Sequence, residues 1–170
     1  VSKSTGQLFI PASAFQPVDY TTSFHNDGEA CYFDLGTSYN GIVAPLILPD
    51  SVTITQVSFF MRVYGGTGNQ NFYLKQAEFS SVTWANMAPP APTTTDLVAL
   101  SGALGLGNGG MNRMEQVLTT MINYELYTSR NRSYYFKITN SSGMWGSGMV
   151  VGYPPSIPNK FYGVLVKYKY

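Results

Sequence analysis

The chain has 170 residues, 44% of them hydrophobic, and a formal net charge of +1 from ten Lys and Arg against nine Asp and Glu. That length is the size of one domain and needs no disulfide or metal staple, and the apolar content argues against disorder. Bases scattered from Lys3 to Lys169 without a basic face argue against nucleic acid, no apolar run reaches the roughly 18 residues of a membrane span, and a single cysteine, Cys31, excludes an intrachain disulfide and a thiolate-rich metal site.

In chain order, Val1–Gln7 is a polar arm carrying only Lys3, expected to fray in a monomer, and Leu8–Ile10 reads as a short strand. Ala30–Leu35 is a second strand, and Ile42–Leu48 a third, with Pro45 marking an edge or bulge. The clearest strand is Val52–Tyr64, where Val57, Phe59, Met61 and Val63 alternate with Ser58, Phe60, Arg62 and Tyr64. Both of its faces are partly apolar, as in a central strand whose outer side is covered. Gly65–Asn69 reads as a turn and Gln70–Phe79 as the returning strand, which together predict a hairpin.

Met87–Gly110 holds Pro89, Pro90, Pro92, three consecutive threonines and five glycines from Gly102 onward, so it reads as a long surface loop with one short helix over Asp96–Leu104. Met114–Tyr124 fits both a helical stripe and an alternating strand; its β-branched Thr119, Thr120 and Ile122 favour the strand. Tyr134–Thr139, Met149–Tyr153 and Phe161–Tyr170 complete the set. In the last of these, Tyr162, Val164 and Val166 are expected to face the core, pairing near Leu8–Ile10 or in the sheet interior.

Short strands separated by Gly, Pro and Asn turns, without a repeat or a linker, predict one all-β domain over residues 1–170. The expected architecture is a two-sheet antiparallel sandwich of jelly-roll type, with an immunoglobulin-like sandwich as the alternative.

Leu8-Phe9-Ile10-Pro11-Ala12, Ala44-Pro45-Leu46-Ile47-Leu48-Pro49-Asp50 and Tyr162-Gly163-Val164-Leu165-Val166 resemble the opening, the Leu-Pro-Asp strand end and the Tyr-Gly-Val closing strand of small uncharacterised secreted bacterial β-sandwich domains. That resemblance implies an exported β domain and carries over no functional residue. The Val1 start is read as a chain that has lost a leader.

No catalytic, cofactor-binding or metal residue is assigned. His25, the only histidine, would have to serve any Ser-His-Asp system with Asp19, Asp27 or Asp34, and no Gly-x-Ser-x-Gly elbow accompanies it. The nine acids show no spacing that singles out a glycosidase pair. Asn26-Asp27-Gly28-Glu29 with Asp34 offers oxygen ligands of the kind Ca²⁺ takes, but the same tripeptide is a common turn, and no cofactor is expected. Gly105–Gly110 lacks the residues of a phosphate loop.

Charged residues are 11% and aromatics 15%, with 13 Tyr and 10 Phe. From that surface composition the leading expectation is a non-catalytic extracellular structural subunit that self-associates into a surface or filamentous assembly through strand faces, the N-terminal arm and the 87–110 loop. The alternative is a carbohydrate-binding or adhesive module with Trp84 and Trp145 as stacking platforms for a glycan.

Overall fold

The computed structural model describes residues 4–18, 24–33, 41–63, 69–79, 92–103, 114–127, 131–140 and 160–170. These form β1 (Thr5–Pro11), a 3-10 turn (Ala12–Ala14), β2 (Gln16–Pro17), β3 (Phe24–Asn26), β4 (Cys31–Phe33), β5 (Gly41–Leu46), β6 (Thr53–Val63), β7 (Asn69–Glu78), β8 (Thr93–Ala103), β9 (Met114–Glu125), β10 (Arg132–Asn140) and β11 (Lys160–Lys169). All ladders are antiparallel. The first sheet runs β3-β4-β11-β6-β9, with β1 also paired to β11, and the second runs β2-β5-β10-β7-β8.

From β4 onward the chain winds so that one sheet reads β4-β11-β6-β9 and the other β5-β10-β7-β8. This is the jelly-roll winding, in which most consecutive strands lie in opposite sheets; the immunoglobulin-like alternative falls away.

The sheets pack through apolar side chains at alternate positions. Phe59 of β6 reaches across to Phe72 of β7 and Phe136 of β10, at ring-centroid distances of 5.0 and 5.8 Å, and Phe15 meets Phe161 edge-on at 4.9 Å. Ile42, Ile54, Leu74, Leu126 and Ile138 fill the spaces between them, all fully buried.

Four expectations are corrected. The hairpin does not exist, because β6 pairs with β9 and β11 in the first sheet while β7 pairs with β8 and β10 in the second. β6 and β7 lie in opposite sheets. Residues 93–103, expected as loop with a short helix over Asp96–Leu104, are the edge strand β8, paired along β7 from Glu78↔Thr93 to Asn69↔Ala103. The N-terminal arm is not free beyond Val1–Lys3, which lie outside the described residues: Thr5, Gly6 and Gln7 pair with Lys169, Tyr168 and Lys167.

The fourth correction concerns phase. Phe161, Val164 and Val166 are fully buried, while Tyr162 is only half-buried, with the Arg62 guanidinium 5.9 Å from its ring centroid. A bulge between Phe161 and Gly163 shifts the alternation by one. Gly163 adopts φ +146°, and a side chain there would run into the Ile10 carbonyl and the Phe9 ring, so glycine is what permits the bulge. The strand expectation for Met114–Tyr124 agrees with β9, and that for Tyr134–Thr139 with β10. Met149–Tyr153 lies outside the described residues.

Pro45 keeps its place in β5 because, among the described residues, β2 covers only Ile42 and Val43 on that edge and none calls for the N–H that proline lacks.

Candidate functional site

The sandwich presents two outer faces. On the first sheet, Gln56 Nε2 donates to Ser58 Oγ at 3.1 Å, and the Ser58 and Thr119 hydroxyls share a 2.8 Å hydrogen bond. Exposed apolar side chains on this sheet include Phe9, Val117 and Met121, with Phe9 edge-on to Phe60 at 6.2 Å. Toward one end, Thr5, Gln7, Thr55, Lys167 and Tyr168 line a depression of about 480 Å³. Tyr168 packs against Gly6 there and meets the Tyr170 ring edge-on at 5.7 Å.

The second sheet is different. In β7, Phe72 and Leu74 point into the core and Asn71, Tyr73 and Lys75 point out; in β10, Tyr134, Phe136 and Ile138 point in and Tyr135, Lys137 and Thr139 point out. Period-two alternation alone produces this division. The register then sets Tyr73 opposite Lys137 and Lys75 opposite Tyr135. The result is a four-residue checkerboard with tyrosines on one diagonal and lysines on the other, each half-buried. The row below adds Thr139 opposite Asn71 and Asn71 opposite Ser101 of β8.

On the β8 side, Asp96 lies opposite Lys75, and its Oδ1 is 2.5 Å from the Lys75 Nζ, which sits 4.8 Å from the centroid of the Tyr73 ring. With the side chains 17% and 42% exposed, this ion pair adds well under about 1 kcal/mol of stability. Its effect is positional: it holds the ammonium beside the ring. On the β5 side, Val43 and Pro45 lie opposite Lys137 and Tyr135. Rings fixed at a surface and interleaved with hydrogen-bonding groups suit a ligand that has an apolar face and a polar rim.

The residues singled out from sequence lie elsewhere. His25 is in β3, opposite Tyr32 of β4 and stacked on its ring at 5.0 Å and 16°. Asn26 Oδ1 accepts from the Gly28 N–H at 3.0 Å, and Asp27 Oδ1 accepts from Glu29 and Ala30 at 3.1 and 2.8 Å. Gly28 takes φ +90°. The tripeptide therefore serves as a turn between β3 and β4. Lys160 Nζ stands 3.5 Å from Asp27 Oδ2. Among the described residues no group of three or more His, Cys, Asp or Glu could hold a metal ion. Asp19, Asp34, Trp84, Trp145 and Gly105–Gly110 lie outside the described residues.

Cys31 is fully buried, and that burial pushes its thiol pKa up to about 12, leaving it inert in the folded protein. The Asp27 carboxyl is held below its ordinary 3.8 first by the Ala30 N–H, then by Glu29 and Lys160, against the opposing effect of burial. A depressed folded value means that its stabilisation is present above the ordinary carboxylate pKa and lost as pH falls through the folded one. Asp27→Asn should therefore lower the thermal midpoint slightly at pH 7, with the difference from the parent closing in acid below the ordinary value. A gap of constant size across pH would show that the charge plays no part.

No protein-family model matches the chain and no curated protein sequence matches it. Among solved structures, it is similar to the C-terminal carbohydrate-binding module CBM6 of LamC, a marine laminarinase from Zobellia galactanivorans, with a TM-score of 0.50 at 13% identity over 95% of this chain and 98% of that one. It is also similar to the CBM22-1–GH10 modules of Clostridium thermocellum xylanase 10B, crystallised with xylohexaose, with a TM-score of 0.50 at 11% identity over 95% of this chain and 27% of that one. At such identity the likeness shows a shared β-sandwich.

The expectation of a self-associating structural subunit is corrected here: the solved structures that share this sandwich are carbohydrate-binding modules. The physical reason lies in where the aromatic residues went. Phe15, Phe59, Phe72, Phe136 and Phe161, counted from composition as material for sticky surfaces, are fully buried in the core. No helix of the described residues is long and apolar enough to cross a membrane.

Proposed function

We propose that this chain is a non-catalytic carbohydrate-binding module that acts outside the cell and holds a polysaccharide across the outer face of its second sheet. The observation that carries this reading is the placement of Tyr73 and Tyr135 on one diagonal of a surface otherwise made of Asn71, Lys75, Lys137 and Thr139. Sugar rings have C–H faces that stack on aromatic rings and equatorial hydroxyls that hydrogen-bond in the sugar plane, and this surface offers both kinds of partner side by side. The fold likeness to carbohydrate-binding modules supports the reading. The strands that carry the site are central ones, β7 and β10, so the face is held by the core and changes little on binding.

Affinity electrophoresis against a panel of soluble plant and algal polysaccharides tests it. Tyr73→Ala and Tyr135→Ala should each weaken binding by roughly thirtyfold, the loss of about 2 kcal/mol typical of a central aromatic contact. Their thermal midpoints should stay near that of the parent, and Met121→Ala on the opposite sheet should bind as the parent does. Retention of no polysaccharide by the parent protein would overturn the function, and undiminished binding by both tyrosine variants would overturn the site.

A further inference from the structure

The two Tyr-x-Lys units, Tyr73-Leu74-Lys75 and Tyr135-Phe136-Lys137, pair antiparallel in a register that relates them by a local two-fold axis normal to the sheet. Under that axis Tyr73 corresponds to Tyr135 and Lys75 to Lys137. The flanking strands correspond as well, β8 to β5, and there the symmetry breaks. Lys75 faces Asp96 across β8, whereas Lys137 faces Val43 across β5. The same ammonium that is neutralised on one side of the axis has an aliphatic neighbour in place of the carboxylate on the other.

The rest of the surroundings of Lys137 repeat the lack. Its strand neighbours on the face are Tyr135 and Thr139, its cross-strand partners Val43 and Tyr73, and its diagonal positions Gly41, Pro45, Asn71 and Lys75. None is acidic, and among the described residues Lys137 makes no ion pair. In a chain with only 11% charged residues, this leaves on the tyrosine-bearing face a positive charge with no acidic neighbour among the described residues.

We infer that the polysaccharide bound on this face carries carboxylates, with a hexuronate residue placing its carboxylate on Lys137 as Asp96 places its own on Lys75, and the adjoining sugar ring against a tyrosine. The inference rests on the proposed carbohydrate-binding function and adds the substrate class. Geometry favours carboxylate over other anions, because the arrangement of carboxylate, ammonium and phenol ring is already realised once on the same face. A charge-assisted contact of this kind is stronger than one between neutral groups, and on an open face it weakens as salt rises.

The test compares acidic polymers, polygalacturonate, alginate and glucuronoxylan, each with its carboxyl-reduced neutral counterpart, by isothermal titration with the intact chain and with Lys137→Gln. At low salt at least one acidic polymer should bind about tenfold more tightly than its neutral counterpart. The ratio should shrink with added sodium chloride and fall to about one in Lys137→Gln. A ratio near one in the parent protein, with the neutral polymers bound, overturns the inference and leaves the carbohydrate-binding function standing. An acid preference that survives Lys137→Gln overturns the role of Lys137, and tighter binding of a sulfated galactan than of every hexuronate polymer overturns the carboxylate. Binding of no polymer of either kind overturns both readings.

Discussion

A chain ending at Phe161, lacking Tyr162–Tyr170, is expected to show no cooperative thermal transition. β11 lies between β6 on one side and β1 and β4 on the other, and among the described residues it is what joins those strands into one sheet. Its removal takes Val164 and Val166 out of the core, each fully buried and worth about 1.5–3 kcal/mol, along with the partly buried packing of Tyr168. It also strands the backbone donors and acceptors of β1 and one edge of β6. Against a total of about 5–15 kcal/mol for a domain, these losses leave no stable fold. Circular dichroism and calorimetry check this, and a truncated protein that melts cooperatively near the parent midpoint would show that β11 is peripheral.

Phe59→Ala is the single substitution expected to cost most, about 3–5 kcal/mol. Phe59 comes from the first sheet and both of its ring partners, Phe72 and Phe136, from the second, so its loss opens a cavity at the contact between layers. All three rings are fully buried, and strands on both sides keep their hydrogen bonds, which limits how far the gap can collapse. For a domain of this length the thermal midpoint should fall by roughly 10 °C, and the urea midpoint should drop without a change in slope. A loss below about 1 kcal/mol would mean that the sheets close around the missing ring.

Strands with one strongly apolar side are legible in the sequence alone. β6, β7 and β10 alternate in period two and bury inward apolar side chains, β11 does so only past its bulge, and even the ambiguous β9 followed its β-branched residues. β8 was not readable, because Thr93, Thr94 and Thr95 are exposed and only Val98 of its described side chains is buried. An edge strand held mainly by backbone pairing leaves little trace in hydrophobic pattern. β6 and β7 read as a hairpin because both strands need a core face, and a short glycine-rich sequence between two such strands is compatible with their lying in one sheet or in two. Composition misled in a further way: it counts phenylalanines without saying which of them are inside.

The candidate site left one trace that sequence reading passed over, the repeated Tyr-x-Lys on the polar side of two strands. Spacing within a strand was visible there. The register that sets Tyr135 against Lys75 was not, since it depends on pairing residues some sixty positions apart, and Asp96 sat in a segment read as a loop with a short helix. Trp84 and Trp145 drew attention as the bulkiest stacking groups, and His25 as the only histidine. The histidine lies flat on Tyr32, a packing role that no motif announces.

The order of strands in the first sheet also governs when this protein can fold during its synthesis. Among the described ladders only β3–β4 and β7–β8 join strands adjacent in the chain; most of the others, β2–β5 apart, wait for partners made much later. β6 is translated in the first half of the chain, yet its neighbour β11 emerges about a hundred residues afterwards, and β1 waits longer still for the same strand. Until then Phe59 and Val57 have no complete layer around them and remain open to contacts with other nascent chains. Topologies built on such distant pairings fold on the slow side, in milliseconds to seconds, and exposed strand edges over that interval favour aggregation. Yield in a foreign host should thus respond more to the rate of elongation through residues 160–169 and to chaperone supply than to changes on the tyrosine-bearing face.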